Sequence, residues 1–179
     1  MADYLTPTVV QQRIPDKDIT PFERLMLVNM FSVEQHDEEL YFFSEDGPST
    51  FLTVERAELE AALDASRDRP SSVAEEIGAQ LTKIPIDEAL VELDLSAVSW
   101  EFIFQDIVRR SDTLSYLTVV SSFTCTKMRS DGFGGMAVLI TKDTVVGKST
   151  HDILGELVSE AGLDGPSRDA PATQENCHE

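Results

Sequence analysis

The chain has 179 residues, 41% of them apolar, and 33 Asp plus Glu stand against 14 Lys plus Arg for a net charge of −19. That apolar share excludes the low-hydrophobicity regime of disordered chains, and the length suits one compact domain or two small subdomains sharing a core. The acidity excludes nucleic acid and anionic membrane as ligands of the bulk surface, because those polyanions are attracted by basic patches.

Residues 8–14 predict a first strand, and the polar break 15–20 leads into a well-marked helix. Thr20 with Glu23 three residues on forms a capping box, and Pro21 sits at the first helical position, where its missing amide has no intrahelical partner to lose. Phe22, Leu25, Met26, Met30 and Val33 share one face of this helix, and Leu27, Val28 and Phe31 widen it, so it is apolar over most of its circumference. Residues 39–44 and 49–54 predict two strands of a hairpin, joined by the turn Glu45-Asp46-Gly47-Pro48. A helix follows over 55–66 with Leu59, Ala62 and Leu63 inward. A second capping box, Ser72 to Glu75, opens another helix that ends before Pro85 and carries Val73, Ile77 and Leu81 on one side.

Residues 90–95 alternate, with Val91, Leu93 and Leu95 on one face, as a half-buried strand does. Ser96 or Ser99 then caps a helix whose Trp100, Ile103, Phe104, Ile107 and Val108 form a core face. Strands are expected over 115–128 and 136–141, around the glycine-rich turn 129–135. The last helix, 150–161, places Ile153, Leu154, Leu157 and Val158 inward, with Gly162 as its stop. The order strand, helix, hairpin, helix occurs over 8–66 and again over 90–161. The expected class is therefore α+β, antiparallel hairpins packed with helices, laid out as two βαββα halves sharing a core. These halves span 1–84, with an extra helix, and 85–162, followed by a disordered tail at 163–179.

The N-terminus, Met1-Ala2-Asp3-Tyr4, has neither a basic nor an apolar leader region, and no apolar run approaches the ~20 residues of a membrane span. Two cysteines, Cys125 and Cys177, make no disulfide framework. A cytoplasmic protein with no membrane association is expected.

Gly147-Lys148-Ser149-Thr150 echoes the tail of a phosphate-binding loop, but Lys142 stands where that loop needs its first glycine. Ser149 with Asp152 accounts for the string as a helix cap. Arg129-x-x-Gly132-x-Gly134 resembles the short Arg/Gln-x-x-Gly-x-Gly/Ala signature of GNAT-type acetyltransferases, which implies acyl-CoA binding. In that family the signature leads into a helix, whereas MAVLIT (136–141) reads as a strand. His36, His151 and the Cys177-His178 pair lack ligand spacing, so neither a metal nor a cofactor is expected, and no residue stands out as catalytic.

What remains is charge. Residues 34–64 hold 10 acidic side chains and one basic, Arg56, whereas 107–150 hold 6 basic and 3 acidic. A solvated surface is the bland account of the first segment. The sharper one is a partner-binding face built on Glu34, Asp37, Glu38, Glu39, Glu45, Asp46, Glu55 and Glu58. The leading expectation is a non-catalytic, regulatory or inhibitory protein that meets a basic or neutral protein through this face and does not itself bind nucleic acid there. One alternative is a nucleic-acid mimic of antirestriction or anti-CRISPR type, in which carboxylate rows imitate phosphates. Another is a nucleotide- or acyl-CoA-binding enzyme holding an anion with Lys127, Arg129, Gly132, Gly134, Lys142 and Lys148. The broadly apolar helix 22–33 belongs either between the two halves or at a homodimer contact near Met26 and Met30.

Overall fold

The structure is a computed structural model and describes residues 3–96 and 98–163. It is an α+β fold built on two antiparallel sheets. Ten strands and five α-helices lie among the described residues. In chain order the elements up to the first cross-over are β1 (Tyr4–Leu5), β2 (Thr8–Val10), β3 (Ile14–Pro15), α1 (Pro21–Met30), β4 (Ser32–His36) and β5 (Glu39–Ser44). They are followed by β6 (Phe51–Glu55), α2 (Arg56–Ala65), α3 (Ala74–Leu81), β7 (Leu90–Asp94) and α4 (Trp100–Arg110). The C-terminal part comprises β8 (Tyr116–Cys125), β9 (Gly134–Thr141), β10 (Val145–Ser149) and α5 (Thr150–Glu160).

The large sheet runs β10-β9-β8-β2-β5-β3, with β1 on β8 and β4 on the free side of β5, while β6 and β7 form a sheet of their own. The expected strand 8–14 is split in two. At the break Gln12 uses its side-chain amide where a strand would use backbone, accepting from Thr118 N at 2.7 Å and donating to Thr118 Oγ1 at 2.9 Å. Both pieces still line the same edge of β5, as Val9↔Phe43 and Ile14↔Leu40.

The capping box of α1 forms as read, Thr20 with Glu23, and Pro21 opens the helix. Its end is earlier than expected. From Ser32 the chain is a strand that makes five rungs with β5, so Val33 belongs to β4 and not to a helix face. The expected hairpin of 39–44 with 49–54 is not formed either: β5 pairs with β2, β3 and β4, and β6 pairs with β7 from Phe51↔Asp94 to Glu55↔Leu90. The turn 45–48 contains Gly47 at φ 104°, a conformation open to glycine, and serves as a cross-over between sheets. Ser49 N donates to Met30 O at 3.0 Å and holds that crossing in place.

One hydrophobic core joins the two sheets. Phe22, Met26, Leu27 and Met30 of α1, Leu40 and Phe42 of β5, and Ile103, Phe104, Ile107 and Val108 of α4 are all buried in it. Phe31, Phe42, Trp100 and Phe104 meet edge to face with ring centroids 5.6 to 6.3 Å apart, the arrangement aromatic quadrupoles prefer. Met26 and Met30 are inside this single-chain core, which corrects their placement at a homodimer contact. Strands from either side of residue 84 pair in both sheets, β2 with β8 and β6 with β7, and the repeat of two βαββα halves is not reproduced in the strand order. The expected tail lies outside the described residues except for Leu163, as do Cys177 and His178.

Candidate functional site

The eight acidic residues expected to form one face fall at three places. Glu34 and Glu39 are on β4 and β5, and Asp37 and Glu38 make the two-residue turn between them, with Asp37 at φ 54°. Gln35 Nε2 steadies that turn by donating to Asp37 O at 2.7 Å. Glu45 and Asp46 lie beyond the opposite end of β5, in the cross-over. Glu55 ends β6 and Glu58 is on α2.

The hairpin tip is where carboxylates concentrate. Asp16 N donates to Glu38 O at 2.9 Å, bringing the short 3-10 turn Asp16–Asp18 against the tip. Between them is an open groove of about 660 Å³ lined by Asp16, Lys17, Gln35, Asp37, Glu38, Glu39 and Thr113. Asp16 pairs with Arg24, and Glu34 lies 3.4 Å from His36 Nε2. Asp37, Glu38 and Glu39 form no ion pair among the described residues. Asp16 is the member of this cluster that sequence reading missed, since it is 21 residues from Asp37 and only the β3–β5 pairing brings it close.

The six residues considered for anion binding are likewise dispersed. Lys127, Arg129 and Gly132 are in the β8–β9 loop with Gly134 at its end, Lys142 is in the turn at the other end of β9, and Lys148 is on β10. Asp131 hydrogen-bonds Arg129 at 3.1 Å and raises its pKa. Lys148 Nζ donates to Glu156 Oε2 at 2.6 Å. Lys142 faces the C-terminal end of α4, where Arg109 Nε donates to Lys142 O at 2.9 Å. The glycines are explained by packing: a Cβ on Gly132 would stand 2.8 Å from Cys125 Cβ, and one on Gly134 would stand 2.9 Å from Thr150 Oγ1. The loop of the Arg129-x-x-Gly132-x-Gly134 string runs into strand β9, without the helix N-terminus that holds a pyrophosphate.

Gly147-Lys148-Ser149-Thr150 is the end of β10 and the first residue of α5. Ser149 Oγ accepts from Asp152 N at 3.1 Å, and Asp152 Oδ2 accepts from Ser149 N at 2.8 Å. The cap expected for this string is therefore present, complete in both directions. Donation by the Ser149 hydroxyl and amide holds the Asp152 carboxyl below the ordinary carboxylate range. At the other end Gly162, at φ 69°, donates to Ser159 O at 2.9 Å while Leu163 N donates to Val158 O at 3.0 Å, which is the Schellman stop expected there.

The inward placement of Ile153, Leu154, Leu157 and Val158 is not observed. They are 43 to 59% exposed, and α5 buries no residue at all. The helix lies against β9 and β10 at the sheet edge, and the stripe that periodicity marks as core is left about half exposed. Other large apolar side chains are exposed nearby in the chain: Val120, Leu139 and Val146 on the strands and Met128 and Phe133 in the β8–β9 loop. Comparison of the chain with known protein families, with curated proteins and with solved structures finds no match.

Proposed function

We propose that this protein is a non-catalytic binder, regulatory or inhibitory in action, that meets a basic or neutral protein through the acidic end built on the β4–β5 hairpin. The observation that supports this reading is the set Asp37, Glu38 and Glu39, exposed or half-exposed, in no ion pair among the described residues, and facing Asp16 and Lys17 across an open groove. Unneutralised carboxylates at a tip steer a positively charged partner from a distance, and a net charge of −19 adds to that field. A nucleotide- or acyl-CoA-binding enzyme has less support, since the side chains of Arg129, Lys148 and Lys142 are engaged at separate places, by Asp131, Glu156 and the Ser111 carbonyl.

Charge reversal of the tip, with Asp37→Lys, Glu38→Lys and Glu39→Lys combined, tests the reading in capture experiments at low and high salt. Exposed charges are screened beyond ~10 Å at 0.1 M salt, so wild-type capture should fade as salt rises and should be lost in the variant while its circular dichroism is unchanged. Capture that ignores salt, or no partner at all, counts against the proposal. Adding DNA or RNA to the captured partner then separates mimicry from ordinary binding. A mimic is displaced by nucleic acid, and simultaneous binding rules mimicry out.

A further inference from the structure

We infer that a second copy of this chain covers the arm formed by β8, β9, β10 and α5, meeting it through the apolar stripe of α5 and through Leu139 and Val146 on the outer face of the sheet. The inference concerns a surface separate from the acidic hairpin tip and stands whether or not a partner binds there. It begins from α5 itself. An 11-residue helix that buries none of its side chains is shorter than the ~12–15 residues at which an isolated helix becomes even marginally stable in water. Its two caps and the Lys148–Glu156 pair fix its ends and one flank, and leave Ile153, Leu154, Leu157 and Val158 about half exposed. An amphipathic helix of this kind draws most of its stability from whatever covers its apolar face.

The segment 164–179 is a poor match for this stripe. Residues 164–179 contain no Leu, Ile, Val, Phe or Met, so no side chain there matches four branched aliphatic residues. Charge then selects among outside partners. From 116 to 163 the chain carries Lys127, Arg129, Lys142 and Lys148 against Asp131, Asp143, Asp152, Glu156 and Glu160, close to neutrality in a chain of net −19. Two copies that approach by this arm bring together a segment with 4 basic and 5 acidic side chains instead of the acidic hairpin tip, so repulsion between the copies is small there.

The sheet must take part as well as the helix. A standard interface buries ~800 Å² on each partner, more than one stripe of four half-exposed side chains supplies. Val146 and Lys148 alternate onto the same face of β10, and the Lys148 bond to Glu156 ties α5 to that outer side. Leu139, directly opposite Val146 in the ladder, lies on the same face and is 42% exposed.

Sedimentation equilibrium of the full chain, alone and as the double variant Leu154→Ser and Leu157→Ser, tests the inference. Wild type should be a dimer with a dissociation constant on the order of 1–10 μM, and the double variant should dimerise at least about tenfold more weakly with an unchanged far-ultraviolet spectrum. Phe51→Ser and Phe102→Ser, exposed apolar positions off the arm, should leave the dimer intact. A second readout needs no variant: amide protection in α5 of wild type should rise with protein concentration, while protection in α1 stays constant. A wild type that is monomeric at about 200 μM, a dimer that survives the double substitution, or α5 protection independent of concentration each overturns the proposal.

Discussion

Glu23 and Arg110 bring opposite charges into the interior, and each leaves one polar atom without a hydrogen-bond partner among the described residues. Glu23 is fully buried; its Oε2 accepts from Thr20 N at 2.9 Å and from Arg110 Nη2 at 2.5 Å, while Glu23 Oε1 and Arg110 Nε have no hydrogen bond among the described residues. The pair joins the start of α1 to the end of α4, and its removal from one side leaves an uncompensated buried charge. Arg110→Ala should therefore lower stability by about 3–5 kcal/mol in urea unfolding. Combining Glu23→Gln with Arg110→Met, which keeps a capping side chain and strands no charge, should recover most of that loss. Only half of this arrangement was legible in the chain. Thr20-x-x-Glu23 announces a capping box locally, but an ion-pair partner 87 residues away leaves no trace in the spacing. Ser72 misleads for the same reason. It reads as the cap of α3, yet Val73 holds that position, and the Ser72 hydroxyl and amide both donate to Asp106 Oδ2 at 2.7 Å, from a helix that only the fold brings near.

Among the elements, the starts of α1 and α5 were legible because their caps are local chemistry, and strand partners were not; Ser99 holds the N-cap position of α4 without a side-chain cap bond. Strands β5 and β6 carry the same alternation as two arms of a hairpin, and nothing in 39–55 distinguishes that pairing from one with β2 and β7. Likewise Phe31 and Val33 fit a helical face as well as a strand, until five rungs with β5 decide the matter. α5 is the opposite case: every local signal was right and the burial expected of it was absent. Its start depends on Asp152, whose pKa is lowered by donation from Ser149. A lowered folded value means stabilisation that is complete above the ordinary aspartate pKa of ~3.9 and lost as pH falls through the folded value. Amide protection in α5, taken relative to the intrinsic exchange rate at each pH, should therefore fall below about pH 4. Ser149→Ala should speed exchange in the first turns of α5 roughly fivefold at neutral pH, the effect of losing one N-cap.

At the scale of the molecule, composition reveals the net charge, whereas the apolar side chains left exposed, Phe51, Ile86 and Leu90 beside acidic residues as well as those of α5, are visible only in the fold. The division of the chain at 84/85 is a sequence pattern that both sheets cross: β2 takes β8 as one neighbour, and β6 pairs with β7 alone among the described strands. A fragment of residues 1–84 would expose Leu52 and Val54 along an unpaired strand. Expressed alone, it should lack the cooperative thermal transition of the intact chain, and adding 85–163 should restore that transition. A calorimetric melt of the fragment resembling that of the whole chain would show the halves to be independent. The central place of β2 also bears on how the chain is made. Val9 pairs with Val120, more than a hundred residues later. At roughly 5–20 residues per second, a ribosome synthesising this protein leaves that early strand waiting on the order of ten seconds for its neighbour. In that interval the β4–β5 hairpin can close behind α1, but the first strand has β5 alone to lean on, and the newborn chain is then at its most exposed to other sheet edges.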